Sequence, residues 1–269
     1  MEQHRLVKFK NKTIHFRDEG RSNGHVMVML HGFLQNLDVW SSFTLSFMKQ
    51  LRIVSIDLPG HGYSECIGSV QTMEDMAEAV NAVLEELNIE HCVMVGHSLG
   101  GYVALAFAEM YPYKLKGLTL MHSHATSDTR ESQVYRQHVC ESVQLNRASY
   151  IVDFVGSLFA SENRMRLAQE IKDLQDDCLE TTAESIMATQ MGMAQRKSRL
   201  SVLEKLPVPI LFIFGKKDPR LKLELGIAEA MIPHHSEILI LDGVGHMSHL
   251  EARDKVKARL FTFIETCYN

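Results

Sequence analysis

The chain has 269 residues, 45% of them hydrophobic and 23% charged, which excludes a disordered or fibrous protein and suits one α/β domain, or one domain carrying an insertion. A formal charge of −5 and a pI near 6.3, with no basic block beyond pairs such as Lys216-Lys217, exclude a general nucleic-acid partner. Five scattered cysteines, Cys66, Cys92, Cys140, Cys178 and Cys267, form no C-x-x-C pair, so neither a disulfide framework nor a zinc site is expected.

The start, Met1-Glu2-Gln3-His4-Arg5, is charged and lacks the apolar core of a signal peptide, so a cytoplasmic location is expected. Val7–Phe9 and Thr13–Phe16 flank Lys10-Asn11-Lys12 and read as an opening hairpin. Val26–Leu30 and Ile53–Ile56 are continuous apolar runs, the pattern of strands covered on both faces. Such runs are far too short to span a bilayer, and no membrane partner is expected. Thr72–Leu87 reads as a helix capped by Thr72 with Asp75 three residues on, its apolar stripe made by Met76, Val80, Val83, Leu84 and Leu87. Cys92–Val95, Leu118–Met121, Ile210–Phe214 and Glu237–Leu241 read as further buried strands. Helical patterns at Leu99–Met110, Leu223–Met231 and Ala252–Thr266 lie among them. The alternation implies a mainly parallel sheet with helices on both faces.

One region breaks it. From about Asp128 to Leu203 there is no strand pattern, only amphipathic stretches at Arg130–Val143, Ala148–Phe159, Glu162–Asp177 and Thr182–Gln195. An all-helical insertion between two strands reads as a lid over the carboxyl edge of the sheet, where open α/β folds bind ligands.

Residues 96–101, Gly-His-Ser-Leu-Gly-Gly, directly follow the run Cys92–Val95. A serine on a sharp strand-to-helix turn is presented as a nucleophile, and glycines at 96 and 100 let strand and helix approach closely. Such a serine needs a base and a group that orients the base. Of 14 histidines, His246 lies just past the last strand, at the sheet edge that also carries Ser98. Asp218, after Ile210–Phe214, supplies the acid, and the chain order becomes Ser98, Asp218, His246. Asp242 is too close in sequence to the histidine, His249 starts the next helix and is expected to pack, and His124 reads as a polar rim residue. An oxyanion would be met by the N–H groups of Leu99 and of Phe33, in the loop His31-Gly32-Phe33-Leu34.

Taken together, Leu30–Phe33, Asp57-Leu58-Pro59-Gly60-His61-Gly62-Tyr63-Ser64, Gly96–Gly101, Gly215–Asp218 and Gly245-His246 occur in the order and spacing of α/β-hydrolase fold proteins. The chain resembles, over nearly its whole length, the small capped bacterial-type serine hydrolases and esterases of that superfamily. The resemblance implies an α/β-hydrolase core over residues 1–123 and 204–269 and a helical cap over 124–203. It implies the triad Ser98, Asp218 and His246, oxyanion donors at Phe33 and Leu99, and structural duty for Asp57–Ser64. Neither metal nor organic cofactor is expected. An apolar pocket is expected from Leu34, Trp40, His122, Met187 and Met191, holding a small acyl substrate, in a monomer or homodimer. Ester hydrolysis leads. Carbon–carbon bond hydrolysis on the same triad and, more remotely, a non-catalytic ligand-binding protein remain open.

Overall fold

In a computed structural model, which describes residues 4–269, eight strands form one sheet in the order β1-β2-β4-β3-β5-β6-β7-β8. The first residues of the charged start, Met1-Glu2-Gln3, lie outside the described residues. The strands are β1 (His4–Phe9), β2 (Lys12–Gly20), β3 (His25–Leu30), β4 (Leu51–Ile56), β5 (Cys92–His97), β6 (Leu115–Met121), β7 (Ile210–Gly215) and β8 (Ser236–Leu241). The helices are α1 (Ser41–Thr44), α2 (Met73–Glu86), α3 (Leu99–Met110), α4 (Arg130–Ser157), α5 (Ala168–Leu179), α6 (Ala183–Ala194), α7 (Leu200–Lys205), α8 (Leu223–Ala230), α9 (Ser248–Glu251) and α10 (Arg253–Tyr268).

Strands β1 and β2 form the antiparallel hairpin, with Lys10 and Asn11 at positive φ in its turn, and β2 joins β4 antiparallel. Every later pairing is parallel. The continuous apolar runs follow from burial on both faces. Met27 and Met29 of β3, Val93 and Val95 of β5, and Leu211 and Ile213 of β7 pack with Trp40, Phe43 and the α10 residues Val256, Leu260 and Phe263. Their neighbours Val28, Leu30, Cys92, Met94, Ile210 and Phe212 point the other way, into the core made with α2 and α3. Strand β8 departs from the expected full burial. It is the sheet edge, and Ile238 and Ile240 are 37% and 38% exposed because one face lacks a covering layer. Thr72 caps α2, its hydroxyl accepting from the Asp75 N–H at 3.0 Å.

Between β6 and β7 the chain leaves the sheet and forms α4 to α7. The sequence pattern splits α4 in two. The chain instead runs through 130–157 with one non-helical residue, Asn146 (φ −155, ψ 86), whose Oδ1 accepts from the Ser149 N–H and restarts the helix. The stretch expected as one helix over 162–177 is a short turn at Ser161–Asn163 followed by α5, and α7 has no counterpart in the pattern reading. Helix α4 packs on α5 and α6, and Val139, Ile151, Val155, Leu174 and Ile186 join these helices to the main core. The insertion is tied down by polar contacts as well. The Gln71 N–H donates to Ala188 O, Gln71 Nε2 to the Thr189 hydroxyl, and the Arg199 guanidinium to Glu74 of α2 and Glu109 of α3. Among the described residues no helix is long and apolar enough to cross a membrane.

Candidate active site

The turn from β5 to α3 carries Ser98 at φ 52, ψ −112, a conformation that side-chain-bearing residues rarely adopt. Packing holds it there. A Cβ on Gly96 would sit 2.4 Å from Gly100 O, and one on Gly100 would sit 2.4 Å from Leu30 O, so the strand–helix crossing excludes any larger residue. The Ser98 N–H donates to Met121 O at 2.9 Å, and Ser98 O accepts from the Ser123 hydroxyl at 2.9 Å. The Ser98 side chain is thereby left half-buried and facing a cavity of about 420 Å³.

His246 lines the same cavity. Its Nδ1 lies 2.9 Å from both Asp218 carboxylate oxygens, so Nδ1–H donates to the carboxylate and Nε2 is left as the lone-pair nitrogen. Among the described residues the Ser98 hydroxyl has no hydrogen-bond partner.

Asp218 is held from four sides. Oδ1 also accepts from the N–H groups of Arg220 (2.8 Å) and Leu221 (3.1 Å), and His122 Nδ1 lies 2.8 Å from Oδ2. Burial alone would raise the Asp218 carboxyl. The positive charge available at His246 and the hydrogen bonds from His122 and His246 outweigh it and hold the group far below the usual carboxylate range.

His122, expected in the pocket wall, lies behind the cavity instead. It is buried at φ 51 directly after β6, and its hydrogen bond turns it onto Asp218. Trp40 is likewise not in the cavity lining. It packs on the opposite face of the sheet with Phe43, its ring 4.8 Å from His249. Leu34 is buried in the main core at φ 67. Met187 and Met191 share a face of α6 that is offset from the one bearing Gln190 and Met193, and it is the latter pair that lines the cavity. Phe33 does line it. Leu99 is the first residue of α3, where an N–H has no intrahelical acceptor. The wall is thus not the apolar one that the sequence leads one to expect. Phe33, Phe154 and Met193 alternate with His124, Asp128, Glu131, Arg136 and Arg220.

The pattern reading left several residues without a role that the fold uses. His97 donates from Nε2 to His246 O at 2.9 Å. Glu251 accepts from the N–H groups of Gly245 and Met247 and, from the insertion, from the Ala160 N–H and Asn163 Nδ2. The His246 N–H itself donates to Leu158 O at 2.8 Å. The loop bearing His246 is therefore pinned by the helical insertion on one side and by His97 on the other. Asp57, in the segment assigned structural duty, accepts from His15 and from the N–H groups of Leu37 and Tyr63. One grouping of metal-type ligands occurs among the described residues, His122, Asp218 and His246, with donor atoms within 4.8 Å. Both imidazoles spend an N–H on the carboxylate, so the three form a hydrogen-bonded unit and the nitrogens facing inward carry protons, not free lone pairs.

A family model of the alpha/beta hydrolase fold matches residues 25–253. A thermophilic esterase from Thermogutta terrifontis, solved with malate bound, superposes with a TM-score of 0.93 at 26% identity, covering 99% of this chain and 100% of that one. The (E)-2-((N-methylformamido)methylene)succinate hydrolase of Acinetobacter baylyi is 21% identical over 95% of each chain. The dihydrolipoyllysine-residue acetyltransferase component of an acetoin cleaving system from Pseudomonas putida is 27% identical over 91% of this chain, but the match spans only 65% of that protein.

Proposed function

This chain belongs to the alpha/beta hydrolase fold family, and on that premise we propose that it is a serine hydrolase acting on a carboxylic ester or similar small acyl substrate. The observation that carries the reading is the Asp218–His246 pair at 2.9 Å, with His246 and the strained Ser98 on one cavity. In this mechanism His246 Nε2 takes the Ser98 proton as Oγ attacks the carbonyl carbon. The carbonyl oxygen becomes an oxyanion held by the N–H groups of Phe33 and Leu99. The imidazolium, stabilised by ionised Asp218, protonates the departing alcohol, leaving Ser98 acylated. Water, deprotonated by His246, then attacks the acyl carbon, and Ser98 leaves with the proton. The helical insertion, residues 124–203, acts as a cap on the core, holding the His246 loop through Leu158, Ala160 and Asn163.

The test is a panel of 4-nitrophenyl esters from acetate to octanoate beside a ring-cleavage diketone. The expected result is saturable ester turnover with an optimum at short to medium chains, as a cavity of about 420 Å³ allows. Turnover of the diketone with none of any ester would replace the reading with carbon–carbon bond hydrolysis.

A further inference from the structure

Arg220 stands out among the charged groups of the cavity. The other lining arginine, Arg136, is paired with Asp128, which is also paired with Arg196. Arg220 has no such partner: among the described residues no carboxylate lies within ion-pair distance of its guanidinium. Its terminal nitrogens donate to neutral hydroxyls only, Nη1 to Tyr135 Oη at 3.1 Å and Nη2 to Ser157 Oγ at 2.9 Å. The guanidinium lies over the Phe154 ring at 4.7 Å, and Phe154 meets Phe33 edge to face at 5.6 Å. A strip of two rings therefore leads from Phe33, whose N–H is assigned to the oxyanion, to an unneutralised cation. The Arg220 backbone N–H donates to Asp218 Oδ1, which anchors the residue's main chain next to the Asp218–His246 pair, while Tyr135, Ser157 and Phe154 position the guanidinium on the same cavity. Of the cavity's carboxylates, Asp128 is shared by two guanidiniums, and Glu131, on the first turn of α4 and exposed as Arg220 is, makes no ion pair with it.

We propose that the acyl group of the substrate carries a carboxylate, which Arg220 receives: the substrate class is the monoester of a short dicarboxylic acid. The assignment rests on the serine hydrolase reading above. A guanidinium offers a planar fork that matches a carboxylate with two parallel N–H bonds, and two hydroxyls and an aromatic face orient the fork without neutralising it. The ester carbonyl would sit at Phe33 and Leu99, and the acid's methylenes would run over Phe33 and Phe154.

The experiment compares the mono-4-nitrophenyl ester of glutaric acid with 4-nitrophenyl pentanoate, equal in chain length but without the charge. Both are measured in the wild type, Arg220→Gln, Arg220→Lys and Ser98→Ala. The readout is the ratio of kcat/KM for the charged over the neutral ester, which cancels any general loss of activity. A charge-assisted hydrogen bond corresponds to roughly a 10- to 100-fold preference. The ratio is expected to favour the charged ester in the wild type, to fall by about that factor in Arg220→Gln, mainly through KM, and to recover in part in Arg220→Lys, which keeps the charge but not the fork. A wild-type ratio near one, or a ratio that Arg220→Gln leaves unchanged, overturns the assignment while the hydrolase reading stands. Rates for both esters no higher than those of Ser98→Ala overturn both.

Discussion

Replacing Ser98 or His246 by alanine is expected to lower kcat for the best ester by about three orders of magnitude or more, with little change in KM and less than a few degrees of change in Tm. The members of such a unit fail together, because each step needs nucleophile and base in the same place. The double variant is therefore expected to be no slower than either single one. Stopped assays with enough enzyme to measure slow residual rates would check this, beside thermal melts that separate lost chemistry from lost fold. Asp218→Asn belongs in the same series. It keeps the shape but weakens the acceptor for both His246 and His122, which themselves sit with ring centroids 5.3 Å apart. A reduction near that of the other two is expected. Additive losses, or full activity in any of the three, would remove the triad from the account.

The second large effect is on stability against acid. Burial pushes the imidazoles of His97 and His249 well below their ordinary range, the neighbouring histidines adding to it. Burial lowers His31 and His122 too, against partial opposition from Asp57 and Asp218, and takes His61 down to about 3. His124 goes to about 4 through burial and the Arg196 charge. A group with a lowered pKa in the folded state binds fewer protons there than in the unfolded chain. Stability is thus complete above about pH 6.5, where the unfolded imidazole is neutral, and is lost as pH falls. Each such imidazole removes up to about 1.4 kcal/mol per pH unit, and a whole domain has only about 5–15 kcal/mol to lose. Several acting together are expected to unfold the protein in a steep transition between about pH 4 and 5.5, before most carboxylates reach their own range. Glu229, whose buried carboxyl is raised, opposes this only within the carboxylate range. Circular dichroism against pH would locate the midpoint. His249→Leu, at a site where neither ring nitrogen has a partner among the described residues, is expected to move it downward. A protein still native at pH 3.5 would contradict the prediction.

Much of the fold was legible because burial imposes a simple pattern. Runs such as Val26–Leu30 and Ile210–Phe214 are apolar without alternation since each strand is covered on both faces, and Thr72 and Asp75 mark the start of a helix by satisfying its first N–H groups. The edge strand misled for the converse reason: Ile238 and Ile240 are apolar but lack a layer over them. Ser98, Asp218 and His246 could be named because each follows a strand at the same sheet edge, a property of chain order. The wall of the cavity was not legible, since it depends on which side of α4 and α6 faces inward and on tertiary contacts. Gln190 and Met193 line it where Met187 and Met191 were expected, and nothing local marks His122 as a partner of Asp218. The one available signal was position. His122 follows β6 as Asp218 follows β7, and adjacent parallel strands deliver the residues after them to neighbouring places.

The most direct test of the central claim, that Ser98 is the nucleophile, is covalent. The protein would be treated with a fluorophosphonate and its mass and peptide map recorded. The expected result is one phosphonyl group per chain, on the peptide containing Ser98, absent in Ser98→Ala and formed far more slowly in His246→Ala. No adduct, or an adduct on another residue that persists in Ser98→Ala, would contradict the account.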